Sequence, residues 1–291
     1  MCAGCGAPII VRQVLRAAKG PVIVANATGC LEVSTSIYPY TSWGCSWIHA
    51  AFENAAATLS GVEAAYNSLK RQGKVDKDIK FVAFGGDGGT YDIGLQSLSG
   101  AMERNHKMVY VCYDNGAYMN TGIQRSSATP RGAHTTTTPV GKESTGKREN
   151  KKDLTKIMVA HDIPYVAQTT PAHWNDLYQK AETAFAAEGA AFINALSPCP
   201  RGWRYDSKDT IELCRMAVDC CFWPLYEVVH GKVRITYKPR QKKPVVDFLR
   251  AQGRFRHLFQ KENQSVIEDI QREVDRKWEA LLAEEAIAKA G

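Results

Sequence analysis

The sequence predicts a doubly wound α/β domain with a mostly parallel sheet, followed by a C-terminal extended arm and helix. Short apolar runs alternate with helical patterns from the beginning of the chain to about residue 200. The runs are continuous rather than alternating, as in KFVAF at residues 80–84, which is typical of strands covered by helices on both faces. After Cys199 the alternation stops. This order of elements favours βαβ units that share one parallel sheet.

Each element follows from a local pattern. Amphipathic segments predict helices at residues 6–20, 47–73, 91–105 and 171–189. Apolar runs predict strands at the start of residues 21–30 and at 80–84, 108–114, 164–170 and 190–197. Residues 129–153 are rich in Thr, Gly and Lys and are predicted as a long surface loop, and residues 222–260 as an extended arm that grips another subunit. We therefore divide the chain into an α/β domain at residues 1–210 and an arm with a helix for subunit contacts at residues 211–291.

Composition excludes several classes of protein. The 291 residues are 44% hydrophobic and 23% charged, as in ordinary globular domains. Runs of eighteen apolar residues are absent, so no membrane span is expected. Nine cysteines in a chain of this length argue against a disulfide framework and favour reduced or metal-bound thiols. We expect a cytoplasmic protein.

The net charge of +7 is concentrated in one segment. Residues 232–261 hold ten Lys or Arg against the single Asp247, whereas residues 262–291 hold eight Asp or Glu against four Lys or Arg. A basic stretch followed by an acidic helix is more typical of two solvated faces than of a nucleic-acid site. No nucleic-acid partner is predicted, although the role of the basic segment stays open.

The sharpest local motif is GGDGGT at residues 85–90, directly after a predicted strand and before a helix. Its glycines allow close approach of a phosphate, and the helix N-terminus favours an anion. The spacing fits neither the dinucleotide fingerprint nor a P-loop. Asp87 would repel a phosphate unless a divalent cation lay between them. Magnesium commonly binds in this way, through one or two side chains and substrate phosphates.

A second oxygen ligand is expected at the end of the neighbouring strand. MVYVCYDN ends in Asp114 and Asn115, and Asn115 lies 28 residues after Asp87, about one helix and one strand later. Gly-Asp-Gly followed at this separation by Asn is the signature of thiamine diphosphate enzymes, which this sequence resembles. The resemblance implies that Asp87 and Asn115 hold Mg by their side chains and Ala117 by its carbonyl, with Gly86, Gly88 and Gly89 around the cofactor.

Four cysteines form the second constellation. Cys2 and Cys5 make a CxxC pair, while Cys30 and Cys199 follow two predicted parallel strands at the edge where GDG also lies. Four thiolates that converge there give either a structural zinc or a four-iron four-sulfur cluster. The other cysteines are more typical of small buried hydrophobes: Cys45, Cys112, Cys214, Cys220 and Cys221.

Together the motifs resemble one family. CAGCG, ATGC, GGDGGT-x-DIGLQ, YDN-x-AYMNTGIQRSS, SPCP, WPLYE and QGRF-x-HLF resemble the beta subunit of 2-oxoacid:ferredoxin oxidoreductases, most closely the pyruvate type, from Cys2 to about Phe259. The resemblance implies that Cys2, Cys5, Cys30 and Cys199 ligate a four-iron four-sulfur cluster. It also implies that Thr28 and Gly29 contact thiamine diphosphate and that the catalytic residue Asn120 lies near the reacting carbon.

The implied reaction is the oxidative decarboxylation of a 2-oxoacid, with electrons passed singly to the cluster and on to ferredoxin. Pyruvate with coenzyme A is the expected pair, and oxalate or another 2-oxoacid is the alternative. The resemblance also implies an alpha subunit with the aminopyrimidine-side domain and activating glutamate, and a ferredoxin-like cluster-bearing subunit. Helical Glu53 is more typical of an interface than of that glutamate, and Arg125 could order its loop or meet the substrate or the diphosphate.

Other hypotheses fit fewer motifs. A thiamine-dependent decarboxylase with zinc-bound or unliganded cysteines usually has both domains in one longer chain. A cluster-bearing electron-transfer or scaffold subunit would not need Asp87, Asn115 and Asn120. A zinc-bound nucleic-acid binder would use basic patches such as GKRENKK, but its four cysteines would form a compact module, whereas Cys199 lies 169 residues after Cys30.

Overall fold

The computed structural model describes residues 1–290 and contains one large mixed sheet with helices on both faces. The ten strands are β1 Val22–Ala27, β2 Ser46–Ala50, β3 Lys80–Gly86, β4 Val109–Asp114, β5 Val140–Gly141, β6 Ser144–Thr145, β7 Tyr165–Thr169, β8 Ala191–Leu196, β9 Leu225–Val229 and β10 Lys232–Tyr237. The ten α-helices are α1 Ala7–Ala17, α2 Cys30–Thr35, α3 Ala55–Arg71, α4 Leu95–Glu103, α5 Leu154–Val159, α6 Trp174–Ala186, α7 Pro200–Trp203, α8 Thr210–Asp219, α9 Val245–Arg250 and α10 Gln264–Ala290.

Eight strands form the main sheet in the order β10-β9-β7-β8-β4-β3-β1-β2. The six strands from β7 to β2 in this order are parallel, and β9 and β10 are antiparallel additions at one edge. The chain passes from β1 outward to β2 and then back across to β3, so the strand order reverses beside β1. Ligands of such sheets bind at the carboxyl ends of the strands, at the point of this reversal. The predicted doubly wound fold is confirmed.

The core lies on both faces of the sheet. On one face α1 and α6 cover the central strands with residues such as Val14 and Leu177, and on the other α3 and α4 contribute Leu59 and Leu98. The central strand β4 is buried along its whole length, which explains why its sequence is a continuous apolar run. Among residues 1–290, no helix has the length and apolar character needed to cross a membrane.

Two expectations about local structure need correction. Residues 47–73 do not form one helix, because residues 46–50 pair with β1 as the edge strand β2 and α3 begins only at Ala55. Glu53 therefore lies in the exposed connection before α3 and not within a helix. The apolar side chains of residues 47–50 fit a parallel edge strand as well as an amphipathic helix, and pairing with β1 decides between them.

The C-terminal third packs on its own chain. Residues 222–260 do not form a free extended arm: β9 and β10 extend the main sheet, and Phe248 and Phe255 are buried in a third core cluster. The basic and acidic C-terminal segments face each other, with Lys238 2.6 Å from Glu285 and Lys242 paired with Asp275. The two charged segments therefore form ion pairs with each other in addition to facing solvent. The predicted use of residues 211–291 for subunit contacts stays a prediction.

Candidate active site

The predicted oxygen ligands meet at the carboxyl ends of neighbouring strands. Asp87 follows β3 and Asn115 follows β4, and these two strands pair in parallel with Gly86 opposite Tyr113. The side-chain amide of Asn115 lies 2.7 Å from Oδ1 of Asp87 and 2.9 Å from the carbonyl oxygen of Ala117, and its nitrogen donates to both. The three residues thus bring a carboxylate, an amide and a backbone carbonyl together. Their oxygens are of the kinds that bind Mg.

Asp87 is completely buried. Burial and the nearby Asp114 carboxylate raise the pKa of Asp87 from its ordinary 3.8 to about 7. Opposing this, the Ser126 hydroxyl donates to Oδ2 at 2.5 Å and the Asn115 N–H donates to Oδ1 at 3.1 Å. A carboxylate with so little solvent is stabilised in its ionised form by an added cation. The residues present therefore fit a bound divalent ion.

Asp114, the last residue of β4, is held in a second buried network. Lys151 forms an ion pair with its Oδ2 atom, and the Tyr91 hydroxyl donates to the same atom at 2.6 Å. The Asn194 amide in turn donates to the Tyr91 hydroxyl at 2.7 Å. Lys151 comes from the predicted surface loop, whose lysines are not all on the surface: Lys147 is buried and donates to Thr129 O at 2.7 Å. The GKRENKK tract therefore contributes buried contacts that stabilise the site, in addition to surface residues.

One small pocket collects nearly all the predicted cofactor contacts. Its cavity is about 20 Å³ and it is lined by Thr28, Gly29, Cys30, Phe52, Gly86, Gly88, Gly89, Tyr113, Asn115, Ala117, Tyr118, Met119, Asn120 and Thr121. Asn120 is exposed at this pocket, while Ala117 is buried. A cavity of this size has room for about one water molecule, so this chain alone does not enclose a cofactor.

Glycine is required where the backbone packs most closely around this pocket. A Cβ atom at Gly88 would lie 2.3 Å from the Tyr118 ring, and one at Gly29 would lie 2.8 Å from the Tyr113 hydroxyl. Tyr113 was not singled out by the sequence, because it lies in an apolar strand. Its hydroxyl is buried without a hydrogen-bond partner among the described residues. An orphaned donor that lines the pocket indicates that a bound group supplies the acceptor.

The four predicted thiol ligands lie at the edge of the sheet that carries this pocket. Cys30 begins α2 after β1, and Cys199 precedes α7 after β8, so the two flank the strands that carry Asp87 and Asn115. Cys5 lies just before α1, whose approach is fixed by the Gly6 N–H to Pro198 O bond of 3.3 Å. Burial raises the pKa of the Cys5 thiol to about 11, and the thiols of the other three predicted ligands act in the same direction.

The spacing of these thiols does not match a single-ion site. Among residues 1–290, no three His, Cys, Asp or Glu side chains converge closely enough to hold one metal ion. A tetrahedral zinc site needs four sulfurs about 2.3 Å from one centre. In a four-iron cluster each thiolate binds a different iron, so the sulfurs stand further apart. The predicted structural role of the other cysteines fits Cys112, Cys214, Cys220 and Cys221, which are buried, whereas Cys45 is partly exposed.

Arg125, the remaining polar candidate, and two histidines lie at the periphery of the site. Arg125 is about two-fifths exposed and approaches Glu149 at 3.7 Å, on the surface of its loop. His134 contacts Arg204 at 2.7 Å, and His49 pairs with Glu32 at 2.9 Å. These contacts are structural, so the chemistry of the site is concentrated at the strand ends.

Comparison with known proteins agrees with this geometry. The model for the C-terminal TPP binding domain of thiamine pyrophosphate enzymes matches residues 27–195. The pyruvate synthase subunit PorB of Thermotoga maritima is 52% identical over 295 residues, which cover 99% of this chain and 91% of that protein. PorB of Methanocaldococcus jannaschii is 54% identical, with 96% and 93% covered. The chain belongs to the beta subunits of the 2-oxoacid:ferredoxin oxidoreductases.

This family includes subunits named for different 2-oxoacids. The ketoisovalerate oxidoreductase subunit VorB of Pyrococcus abyssi is 42% identical, with 96% of this chain and 89% of that protein covered. A solved structure of 2-oxoglutarate:ferredoxin oxidoreductase from Magnetococcus marinus matches with a TM-score of 0.58 at 24% identity, covering 74% of this chain and 76% of that one. The last match shows a shared fold. This chain is therefore an oxidoreductase subunit with a thiamine-binding domain, and membership alone does not choose its substrate.

The ion pair between Lys151 and Asp114 gives a stability prediction. Lys151→Met leaves a carboxylate that is 1% exposed without its ammonium partner, so we expect the free energy of unfolding to fall by about 3–5 kcal/mol. Urea denaturation followed by circular dichroism measures this. The matched control is Lys156→Met, whose pair with Glu284 is about two-fifths exposed and contributes at most about 1 kcal/mol. Equal losses in the two variants would contradict the assignment.

Proposed function

We propose that the chain carries Mg, thiamine diphosphate and a four-iron four-sulfur cluster, and catalyses the oxidative decarboxylation of pyruvate as part of a hetero-oligomer. The observation that carries this proposal is the sequence Thr28-Gly29-Cys30, in which two residues line the cofactor pocket and the next is a predicted cluster ligand. A thiamine site and a thiolate site that share one turn suit a reaction that releases electrons to an adjacent acceptor.

The proposed reaction is a two-electron oxidation in which pyruvate loses carbon dioxide and its acyl group passes to coenzyme A. The bond between C1 and C2 of pyruvate breaks and carbon dioxide leaves, while the remaining acyl carbon forms a thioester with coenzyme A, whose thiol loses its proton. Two electrons are released and pass one at a time through the cluster to two ferredoxin molecules. Thiamine diphosphate, when bound, supplies the electron sink for this step.

The residues of this chain position and neutralise the reacting groups. Asp87, Asn115 and Ala117 would hold the ion by oxygen atoms. Gly29, Gly86, Gly88 and Gly89 would let the backbone approach the diphosphate. Asn120, at the open side of the pocket, would orient the substrate near the reacting carbon. The cluster would be held by Cys2, Cys5, Cys30 and Cys199, and in support the other three thiols lie near enough to Cys5 to raise its pKa.

Several partners follow from this proposal. The chain matches the C-terminal TPP binding domain of thiamine enzymes, so an alpha subunit would supply the aminopyrimidine-side domain and the activating glutamate. A ferredoxin-like cluster-bearing subunit and ferredoxin would take the electrons. Nine free cysteines suit a reducing cytoplasm. Pyruvate is favoured over other 2-oxoacids because relatives with at least 50% identity include pyruvate synthase subunits of several organisms.

The substrate is tested on the complex purified anaerobically after co-expression with its partner subunits. We expect the highest kcat/KM with pyruvate, dependent on coenzyme A, when ferredoxin or a viologen dye accepts the electrons. Ketoisovalerate, 2-oxoglutarate and oxalate serve as competing substrates. A higher kcat/KM for one of these would overturn the pyruvate assignment and leave the family reaction intact. Asp87→Asn should lose activity with every substrate.

The cluster is tested by metal and acid-labile sulfide analysis of the same complex. Cys30→Ala should lose about four irons and four sulfides per chain relative to the wild type, because a cubane cluster needs all four thiolates. The control is Cys45→Ala, which removes another partly exposed thiol and should keep the full iron content. Zinc in the wild-type chain, or equal iron in both variants, would rule out the proposed cluster.

The unpartnered Tyr113 hydroxyl gives a prediction for cofactor binding. Tyr113→Phe should weaken thiamine diphosphate binding by about 10- to 100-fold, the value of one hydrogen bond to a charged group. Isothermal titration calorimetry of the complex at a fixed Mg concentration measures the Kd for thiamine diphosphate. The control is Tyr165→Phe, which loses a buried hydroxyl bonded to Glu227 at 2.6 Å on a strand outside the pocket, and should bind normally. An unchanged Kd in Tyr113→Phe would show that the hydroxyl does not meet the cofactor.

A further inference from the structure

A buried arginine lies between the thiamine pocket and the thiol site. Arg254 belongs to the 3₁₀ segment Gly253–Phe259 and is 2% exposed. Its guanidinium carbon lies 4.0 Å from the centre of the Trp203 ring, and its Nε donates to Gln252 Oε1 at 2.9 Å. Gly116, directly after the predicted Mg ligand Asn115, makes room for it, because a Cβ atom there would lie 2.9 Å from Nη1 of Arg254.

Trp203 connects this arginine to both sites. Its indole N–H donates to the carbonyl oxygen of Asn115 at 2.6 Å. Its backbone N–H donates to the carbonyl oxygen of Cys199 at 2.9 Å, in the turn that forms α7. The ring that Arg254 covers is therefore tied on one side to a predicted Mg ligand and on the other to a predicted cluster ligand. The guanidinium is held by packing against this ring and by its hydrogen bond to Gln252, and it has almost no contact with solvent.

The charge of Arg254 lacks an obvious partner in the chain. Burial lowers the pKa of Arg254 to about 9, while Asp114, Cys199 and Asp87 act in the opposite direction. Neither carboxylate forms an ion pair with it among residues 1–290, and Asp114 is already paired with Lys151. A buried cation is costly unless an anion compensates it. Cys199, one of the predicted cluster ligands, lies near enough to act on Arg254, so a cluster bound there would supply that anion.

We propose that Arg254 is the counter-cation of the cluster held by Cys2, Cys5, Cys30 and Cys199, and that its charge raises the cluster's reduction potential. The inference rests on the proposed function, because it requires the cluster. Reduction adds one negative charge to the cluster, so a fixed positive charge nearby favours the reduced form. Water screens the charge of Arg254 only weakly, because the side chain is 2% exposed. Arg254 is thus a positioning residue that acts on electron transfer without touching the substrate.

The test is a redox titration of the complex, followed by the electron paramagnetic resonance signal of the reduced cluster. Subtracting the spectrum of Cys30→Ala isolates the signal of this subunit from those of its partners. Arg254→Met should move the midpoint to a more negative potential, with about a tenfold change in the reduction equilibrium, or about 59 mV for one electron. Arg254→Lys keeps the charge and should stay close to the wild-type potential.

The control is Arg256→Met, which removes an exposed arginine two residues away and should leave the potential unchanged. Iron content and melting temperature are measured for every variant, and Arg254→Gln carries the same test if the Met variant does not assemble. Equal shifts in the Lys and Met variants, or no shift in a fully loaded Met variant, would overturn the proposal. Absence of iron from the wild-type chain would instead overturn the proposed function.

Discussion

The site depends on two carboxylates buried side by side at the edge of a parallel sheet. Asp87 directly follows strand β3, and Asp114 is the last residue of the adjacent strand β4. Each carboxylate has almost no contact with water. Two buried like charges raise each other's energy, so the surrounding chain must supply cations and donors. Lys151 and Tyr91 compensate Asp114. Asp87 accepts hydrogen bonds only from neutral donors, Ser126 and the Asn115 N–H, which is why we propose it as the ligand of an added ion.

This constraint also explains the loop that covers the site. Residues 126–152 follow β4 and carry donors back toward its end, including the Ser126 hydroxyl and the Lys151 ammonium. Lys147, from the same loop, donates to two of its backbone carbonyls and thereby closes it. Burial lowers the pKa of Lys147 to about 8, so the loop retains this lysine at some cost. The polar composition of the loop therefore reflects internal compensation of charge as well as exposure.

The sequence was informative where chemistry coincides with strand ends. Asp87, Asn115, Cys30 and Cys199 were predictable because parallel strands bring their carboxyl ends to one edge, whatever their separation along the chain. Trp203, Tyr113 and Arg254 received no role from the sequence. Tyr113 and Arg254 stand inside motifs that carry the resemblance, but their local patterns do not separate a site residue from a core or surface one. Tyr113 lies in an apolar run that would equally suit a core residue, and Arg254 lies in a basic stretch typical of solvated surface.

The errors in the predicted elements have the same physical origin. The edge strand β2 and the sheet additions β9 and β10 depend on pairing with distant strands, and a short apolar segment carries no record of that pairing. The lysines of residues 146–152 were interpreted as a surface patch because the groups they contact are distant in sequence: backbone carbonyls for Lys147, and carboxylates for Lys151 and Lys152. The periodicity of apolar residues indicates which side of a segment is buried, and its charged residues indicate which side is solvated. Neither pattern identifies the distant segment whose pairing decides whether a helix or a strand forms.

The order of the thiols along the chain constrains how the proposed cluster could form. Cys2 and Cys5 precede α1, Cys30 follows the first strand, and Cys199 follows β8, the last parallel strand of the sheet. No segment that ends before residue 199 contains all four ligands, and β8 occupies its place beside β4 only in the assembled sheet. The cluster would therefore assemble after the parallel sheet has folded. Once formed, it would tie the N-terminus to the turn after β8, and so fix α7 and the Trp203 ring against the end of β4.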